Sequence, residues 1–218
     1  GLTALERIYL GAFGEDQPLT VNAVAAVVDA FVAKIAKNRP RPMVMTLGGD
    51  YKMRKRGEGM VKVLAGEFYA QDAYEQGPEA ALDMAQLGDG FLQVFMRHGE
   101  IAYERVLSDH LMVDDYEASR GFRFVRQKFK LTNVHKEVLK ALYPGRDEQI
   151  DGAEVIRATG ADSFSQSQLN DMCTVVEAWH LPSGPDAHDG RHAMVIGTGT
   201  LSFREYQWPE FPFARFSL

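Results

Sequence analysis

The clearest hydrophobic pattern in the chain lies in the stretch PLTVNAVAAVVDAFVAKIAKNRPRP, residues 18–42. Apolar side chains recur there at the i, i+3, i+4, i+7 spacing that places them along one face of a helix. Thr20 is suited to cap the start of this helix, and Asn38 precedes two prolines that end it. The pattern therefore predicts a helix between Thr20 and Asn38. Its apolar positions are Val24, Val27, Val28, Phe31, Val32 and Ile35.

Two further helices are predicted before residue 90. The first runs from Lys52 to Asp72 and is basic in its first turns. The second has the sequence PEAALDMAQLG and opens with Pro78, a residue suited to the first turn of a helix. It closes at Gly88. The run MVMTL, residues 43–47, predicts a short strand that ends at a glycine turn.

After residue 90 the hydrophobic positions alternate, as they do in strands with one face in solvent. The stretch FLQVFMRHGEIAYERVLSDHLMVDD, residues 91–115, predicts two strands around a His98-Gly99 turn and a short third strand over residues 111–113. GFRFVRQKFKL, residues 121–131, also alternates. A helix at about residues 132–143 follows, with Thr132 as its cap. Three strands come after it, in CTVVEAWHL, RHAMVIG and TLSFREYQ.

The order of these elements predicts an α+β fold. We expect a mainly helical part over residues 1–90 and a β-rich part over residues 91–218, with the helix at about residues 132–143 inserted into the β-rich part. The aromatic-rich segment WPEFPFARFSL at residues 208–218 is expected to be covered, either by a neighbouring chain or by pairing within its own sheet. The first residues, with Leu2, Leu5, Ile8 and Tyr9, start inside an apolar pattern. We therefore expect the chain to be a piece of a larger protein or a subunit of a larger assembly.

Composition narrows the class of protein. The 218 residues are 45% hydrophobic and 25% charged, which is ordinary for a globular domain. The net charge of −6 argues against a protein whose main task is to clamp nucleic acid. One cysteine, Cys173, excludes an internal disulfide. No apolar run approaches the length of a membrane span, so no membrane partner is expected.

The stretch VVEAWHLPSGPDAHDGRHAMVIGTGTL, residues 175–201, holds the densest cluster of metal-ligating residue types. A catalytic zinc site needs three His or carboxylate ligands that converge on one point. His180, His188 and His192 are the candidates, with His180 on a strand opposite His192. Gly190 lies between His188 and His192, and this glycine argues against a helix that would bring the two side chains to one face. The loop residues SGPDAHDG are typical of turns, so a polar surface loop is the simpler interpretation.

Other motifs carry weaker signals. The basic run from Lys52 to Arg56 could bind phosphates, but a solvated helix start explains it as well. GTGT at residues 197–200 and LGGD at residues 47–50 lack the neighbours of phosphate loops and predict turns. Cys173 adjoins apolar strand residues and is expected to be a small buried hydrophobe. Asp114 and Asp115 would face opposite sides of an extended chain. We therefore predict no catalytic, cofactor-binding or metal-binding residue.

Four stretches of the chain, in order, resemble portal proteins, the head-to-tail connectors of tailed bacteriophages. They are LTVNAVAAVVDAFVAKIAKNRPRPMVMTLGGDYKMRKRG, LGDGFLQVFMRHGEIAYERVLSDHLMVDDYEASRG, VVEAWHLPSGPDAHDGRHAMVIGTGTL and WPEFPFARF. They are similar to the segments that build the outer wing of a portal subunit, and the resemblance covers most of the 218 residues. None of the four stretches is a catalytic signature. The resemblance therefore rests on their order along the chain.

The resemblance implies a structural role. A portal is a homo-oligomeric ring, typically a dodecamer, at one vertex of the capsid of the virion. It contacts the major capsid protein. Double-stranded DNA passes through its channel without sequence specificity, driven by the terminase, and tail or adaptor proteins attach later. The portal itself is not an enzyme and needs no cofactor. The stem, clip and C-terminal helical region of portals have no counterpart in these 218 residues.

Two alternatives remain from the residues alone. The first is a metal-dependent hydrolase that uses His180, His188 and His192. The second is a binding module that uses the run from Lys52 to Arg56 for nucleic acid.

Overall fold

The computed structural model describes residues 23–39, 41–46, 48–97, 99–156 and 171–217. The chain forms two compact units. One, here called the helical unit, comprises the described residues of 23–108 together with 212–217. The other, the sheet unit, is Asp109–Phe211. The sequence predicts a mainly helical part at 1–90 and a β-rich part at 91–218. These parts are defined by secondary structure and the two units by contacts, so the units do not test this division, which stays a prediction.

The helical unit begins with three helices, α1 at Ala23–Lys37, α2 at Tyr51–Ala70 and α3 at Ala73–Leu87. Both α1 and α2 pack on α3. The helix α2 starts where the sequence predicts a basic helix, and the side chain of Asp50 caps it by accepting a hydrogen bond from Met53 N at 2.9 Å. Between α1 and α2, residues 41–46 form no strand. They have no regular secondary structure, so the strand predicted at residues 43–47 is absent from the described residues, and Val44 and Thr46 pack against Gly57 of α2.

Three antiparallel strands complete the described part of the helical unit: β1 at Asp89–Arg97, β2 at Glu100–Val106 and β8 at Phe213–Ser217, in the order β2-β1-β8. The segment at residues 208–218 thus contributes a strand to the sheet of its own chain, one of the two outcomes expected from the sequence. The helix α3 packs on this sheet. The buried apolar residues of α3, β1 and β2 are Ala80, Ala81, Met84, Phe91, Leu92, Ala102 and Val106.

The sheet unit contains a five-stranded antiparallel sheet among its described residues, in the order β3-β4-β5-β6-β7. Its helices are short. The strands are β3 at Leu111–Val113, β4 at Gln127–His135, β5 at Met172–His180, β6 at Arg191–Ile196 and β7 at Gly199–Glu205; the helices are α4 at Asp115–Ser119, α5 at Lys136–Leu142 and α6 at Asp147–Asp151.

One core of the sheet unit lies where α5 and α6 meet the strands. Cys173 is fully buried there, as its apolar sequence neighbours predict, and burial raises the pKa of its thiol. The core residues are Leu139, Ile150, Ala153, Cys173, Val175, Ile196 and Leu201.

The α+β class is confirmed, because helices come first and antiparallel sheets follow. Two helix starts are wrong. The helix expected to begin at Pro78 begins at Ala73, after a left-handed Asp72, and Pro78 lies inside it. The helix expected at about residues 132–143 begins only at Lys136, because β4 continues to pair with β5 as far as His135.

Only part of the alternating stretch at residues 121–131 forms a strand. Residues Phe122–Phe124 form a short 3-10 helix, and β4 starts at Gln127. The predicted cap at Thr20 and the apolar positions from Leu2 to Tyr9 lie outside the described residues.

Candidate functional site

A row of polar and aromatic residues crosses one face of the sheet unit. Strand pairing aligns Lys128 of β4 with Trp179 of β5, Trp179 with His192 of β6, and His192 with Arg204 of β7. Because directly paired residues share a face of the sheet, these four side chains lie side by side. Lys128, Trp179 and His192 are all buried, although two of the three are polar. Buried polar side chains need partners, and the partners define this site.

His192 is the centre of the row and uses both of its ring nitrogens. Its Nδ1 accepts a hydrogen bond from Nε of Arg204 at 2.8 Å, and its Nε2 lies 2.8 Å from Oε1 of Glu177. A guanidinium can only donate, so Nδ1 carries no proton in this arrangement, and Nε2 donates to the carboxylate. The structure therefore describes a neutral imidazole with its proton on Nε2.

Aromatic rings enclose the imidazole. The ring of Trp179 lies 5.1 Å from that of His192 between centroids, and the ring of Tyr206 lies 6.5 Å away. Burial raises the pKa of Tyr206 to about 12, although nearby Arg204 acts in the opposite direction. At the other end of the row, Nζ of Lys128 lies 4.6 Å from the centroid of the Phe211 ring. These contacts fix the row as a packed layer.

The loop from Leu181 to Gly190 is held by hydrogen bonds. Oδ1 of Asp189 accepts from Ser183 N at 2.8 Å, and this bond lowers the pKa of the Asp189 carboxyl. Tyr206 N donates to the carbonyl of Gly190 at 3.0 Å. A Cβ at Gly190 would overlap the carbonyl oxygen of Tyr206, so only glycine allows this approach. The loop is an ordered connection between β5 and β6.

The other two histidines lie apart from His192. His180 pairs with Arg191, one position out of step with the pair of Trp179 and His192, so its side chain leaves the opposite face of the sheet. The approach of His180 to His192 that a shared metal site would need therefore does not occur.

His188 is 81% exposed, with Nδ1 2.7 Å from Oε1 of Glu205. Glu205 follows Arg204 directly in β7, so the two side chains leave opposite faces of that strand as well. Within the part of the chain that the structure describes, no group of three His, Cys, Asp or Glu residues could hold a metal ion.

The remaining candidate motifs have local structural roles. GTGT forms the turn between β6 and β7, where Thr198 Oγ1 donates to the Gln149 carbonyl at 2.6 Å. In LGGD, Gly48 has a φ of 62°. Gly197 and Thr198 form the predicted turn, whereas Gly199 and Thr200 already belong to β7; the described part of LGGD is a bend at Gly48 that leads to Asp50, the cap of α2. Asp114 caps α4 by accepting from Glu117 N at 3.0 Å, and Asp115 is the first residue of that helix, so the extended pair considered from the sequence does not form.

Comparison with known proteins adds no assignment. No protein-family model matches the chain, and a search of curated proteins gives no match either. No described helix combines the length and the apolar character that crossing a membrane requires.

Sequence reasoning missed the partners of His192. Glu177 and Arg204 lie 15 and 12 residues from it along the chain, and only the pairing of β5, β6 and β7 brings them together. Alternation places Glu177 and Trp179 on one face of β5, which is a usable signal. The register between strands was not readable, however, because turn lengths and the bulge between Met194 and Val195 help to set it.

Proposed function

We propose that this chain is the wing portion of a bacteriophage portal subunit, a structural component of a homo-oligomeric ring at the capsid vertex. The observation that carries the proposal is the succession of four stretches that resemble portal wing segments, in order and over most of the 218 residues. In this role the chain catalyses no reaction. Its ring surrounds the path of double-stranded DNA and contacts the major capsid protein, the terminase and tail or adaptor proteins.

The geometry around His192 supports a structural role for the most polar stretch of the chain. Both ring nitrogens of His192 already have partners within the sheet, at 2.8 Å each. A metal at this imidazole would have to displace either Glu177 or Arg204. A buried imidazole that is bonded at both ring nitrogens favours a single packing arrangement of these strands. The loop between His180 and His192 then serves as a surface connection.

A metal-dependent hydrolase is the weaker candidate, because it needs His180, His188 and His192 at one point. Strand pairing sends the His180 and His192 side chains to opposite faces of the sheet. Elemental analysis of the purified protein separates the two candidates. Stoichiometric zinc that is lost in His192→Ala would favour the hydrolase, and purified protein without bound metal would exclude it.

The portal proposal is tested by the assembly state of the complete gene product. Native mass spectrometry is expected to find a closed ring of about a dozen subunits, because head-to-tail contacts between identical subunits close into rings.

A further inference from the structure

Positive charge is concentrated in one short segment of this acidic chain. Residues 34–62 contain nine Lys and Arg residues but only Asp50 and Glu58 as acids, a net charge of +7. The other 15 Lys and Arg residues are outnumbered by 28 Asp and Glu residues, so the rest of the chain carries −13. A charge separation of this size indicates a surface for an anionic partner. The basic residues are Lys34, Lys37, Arg39, Arg41, Lys52, Arg54, Lys55, Arg56 and Lys62.

Helical geometry places four of these cations on one side of α2. Lys52, Lys55, Arg56 and Lys62, here called the cationic stripe, fall within an arc of about 120° at 100° per residue. All four are exposed. Gly57 lies on the opposite side of the helix, where it is buried against Val44 and Thr46. The contacts of α2 with its own chain at Gly57 therefore leave the stripe free.

The stripe is not neutralised by its own chain. None of its four cations forms an ion pair with another residue that the structure describes. Elsewhere in the helical unit, Arg105 pairs with Asp83 and Arg215 with Asp89. Cations at the start of a helix are also opposed by the positive end of its dipole. An external anion would relieve this local repulsion.

We propose that the cationic stripe binds the phosphate backbone of double-stranded nucleic acid. From Lys52 to Lys62 the stripe extends about 15 Å at 1.5 Å per residue. A duplex presents one phosphate per about 1.7 Å of its axis, so this length meets several phosphates at once. Gly59 lies within the stripe, and the space that a Cβ would occupy there is open, which lets the helix backbone approach a stiff partner closely.

The same face is poorly suited to a lipid surface. Helices that bind membranes insert aromatic and leucine side chains below the headgroups. Within the arc of the stripe the other positions are instead Gly59, Val63, Gly66 and Ala70, and the exposed rings of Tyr51 and Tyr69 lie just outside it. The proposal goes beyond the portal assignment and does not rest on it, since a single chain can bind a duplex whether or not it forms a ring.

The test is fluorescence anisotropy of a labelled DNA duplex of arbitrary sequence, titrated with the 218-residue chain at several salt concentrations. The stripe variant is Lys52→Glu/Lys55→Glu/Lys62→Glu. The matched control, Arg97→Glu/Arg120→Glu/Arg191→Glu, makes the same change in net charge at other exposed arginines. Circular dichroism and thermal melting confirm that both variants fold.

The proposal predicts that the stripe variant loses at least about tenfold in affinity while the control keeps most of it. With Lys52→Gln/Lys55→Gln/Lys62→Gln, the slope of log K against log salt should fall by about 2 to 3, close to 0.9 for each lost phosphate contact.

Four results would overturn the proposal. The first is an absence of duplex binding at low salt, and the second is an equal loss of affinity in the stripe variant and the control. The third is binding to phosphatidylserine vesicles without binding to DNA. The fourth is salt-dependent self-association that only the stripe variant loses, again without DNA binding, which would assign the stripe to a second copy of the chain. Ring formation is measured separately, so this proposal and the portal assignment can fail independently.

Discussion

Arg204 donates from Nε to Nδ1 of His192 at 2.8 Å and so fixes the protonation state of a buried imidazole. A proton on Nδ1 would point at the guanidinium and break this bond. We therefore predict that the ring proton of His192 is on Nε2. Long-range ¹H–¹⁵N correlation spectra report the tautomer directly. A proton on Nδ1, or a charged ring, would show that the hydrogen bonds run differently.

Removal of the His192 ring should strongly destabilise the sheet unit. His192→Ala deletes a buried side chain and leaves Glu177 and Arg204 without their shared partner. We expect a loss of about 3 kcal/mol in the free energy of unfolding. His188→Ala is the control, because His188 is 81% exposed and its loss should cost less than about 0.5 kcal/mol. Urea denaturation measures both variants, and equal effects would rule out a stabilising network at His192.

Two glycines of the helical unit should respond to alanine in opposite directions. A Cβ at Gly90 would overlap the carbonyl oxygen of Ala80, so Gly90→Ala should cost more than about 2 kcal/mol as β1 and α3 are forced apart. Gly66 lies in α2 with open space around it, so Gly66→Ala should stabilise by about 0.5–1 kcal/mol. Thermal melting of the two variants gives the comparison. A neutral Gly90→Ala would mean that α3 does not lie this close to β1.

Arg105 tests how much a buried ion pair contributes to the helical unit. Its guanidinium bonds both carboxylate oxygens of Asp83, at 2.7 Å and 2.5 Å, and Asp83 is buried. Asp83→Ala should cost about 2–3 kcal/mol, less than the roughly 3–5 kcal/mol of a fully buried pair, because Arg105 is one-third exposed. Glu79→Ala removes only the exposed partner of the same arginine and should cost under about 0.5 kcal/mol. Similar losses in the two variants would contradict the geometry.

Stability at high pH should depend on Tyr206. Its pKa is raised to about 12 in the folded chain, so the folded state keeps a proton that the unfolded state loses near pH 10. The resulting contribution to stability is complete below about pH 10 and is lost as the pH rises towards 12. Tyr206→Phe should weaken this alkaline decline of the free energy of unfolding. An ultraviolet titration in which every tyrosine ionises near pH 10 would refute the buried position of Tyr206.

The sequence predicted elements well where one pattern governs a whole segment. The helix from Tyr51 to Ala70 and the strands around His98-Gly99 have continuous spacing and clear ends, and the structure places them as expected. Prediction failed where distant pairing decides the outcome. Lys136 starts α5 because β5, far along the chain, keeps the preceding residues in β4. The propensities of residues 132–135 alone do not indicate that a distant strand pairs with them.

The candidate site shows the same limit. The sequence singles out His192, but its partners depend on register. A shift by one residue between β5 and β6 would have placed His180 beside His192 and made a metal site credible. The actual register pairs His192 with Trp179 and Arg204 instead.

The most direct test of the central claim is the mass and shape of the complete gene product, by native mass spectrometry with negative-stain electron microscopy. The portal assignment predicts closed rings of about a dozen subunits around a central hole. A monomer or dimer at micromolar concentration would contradict it.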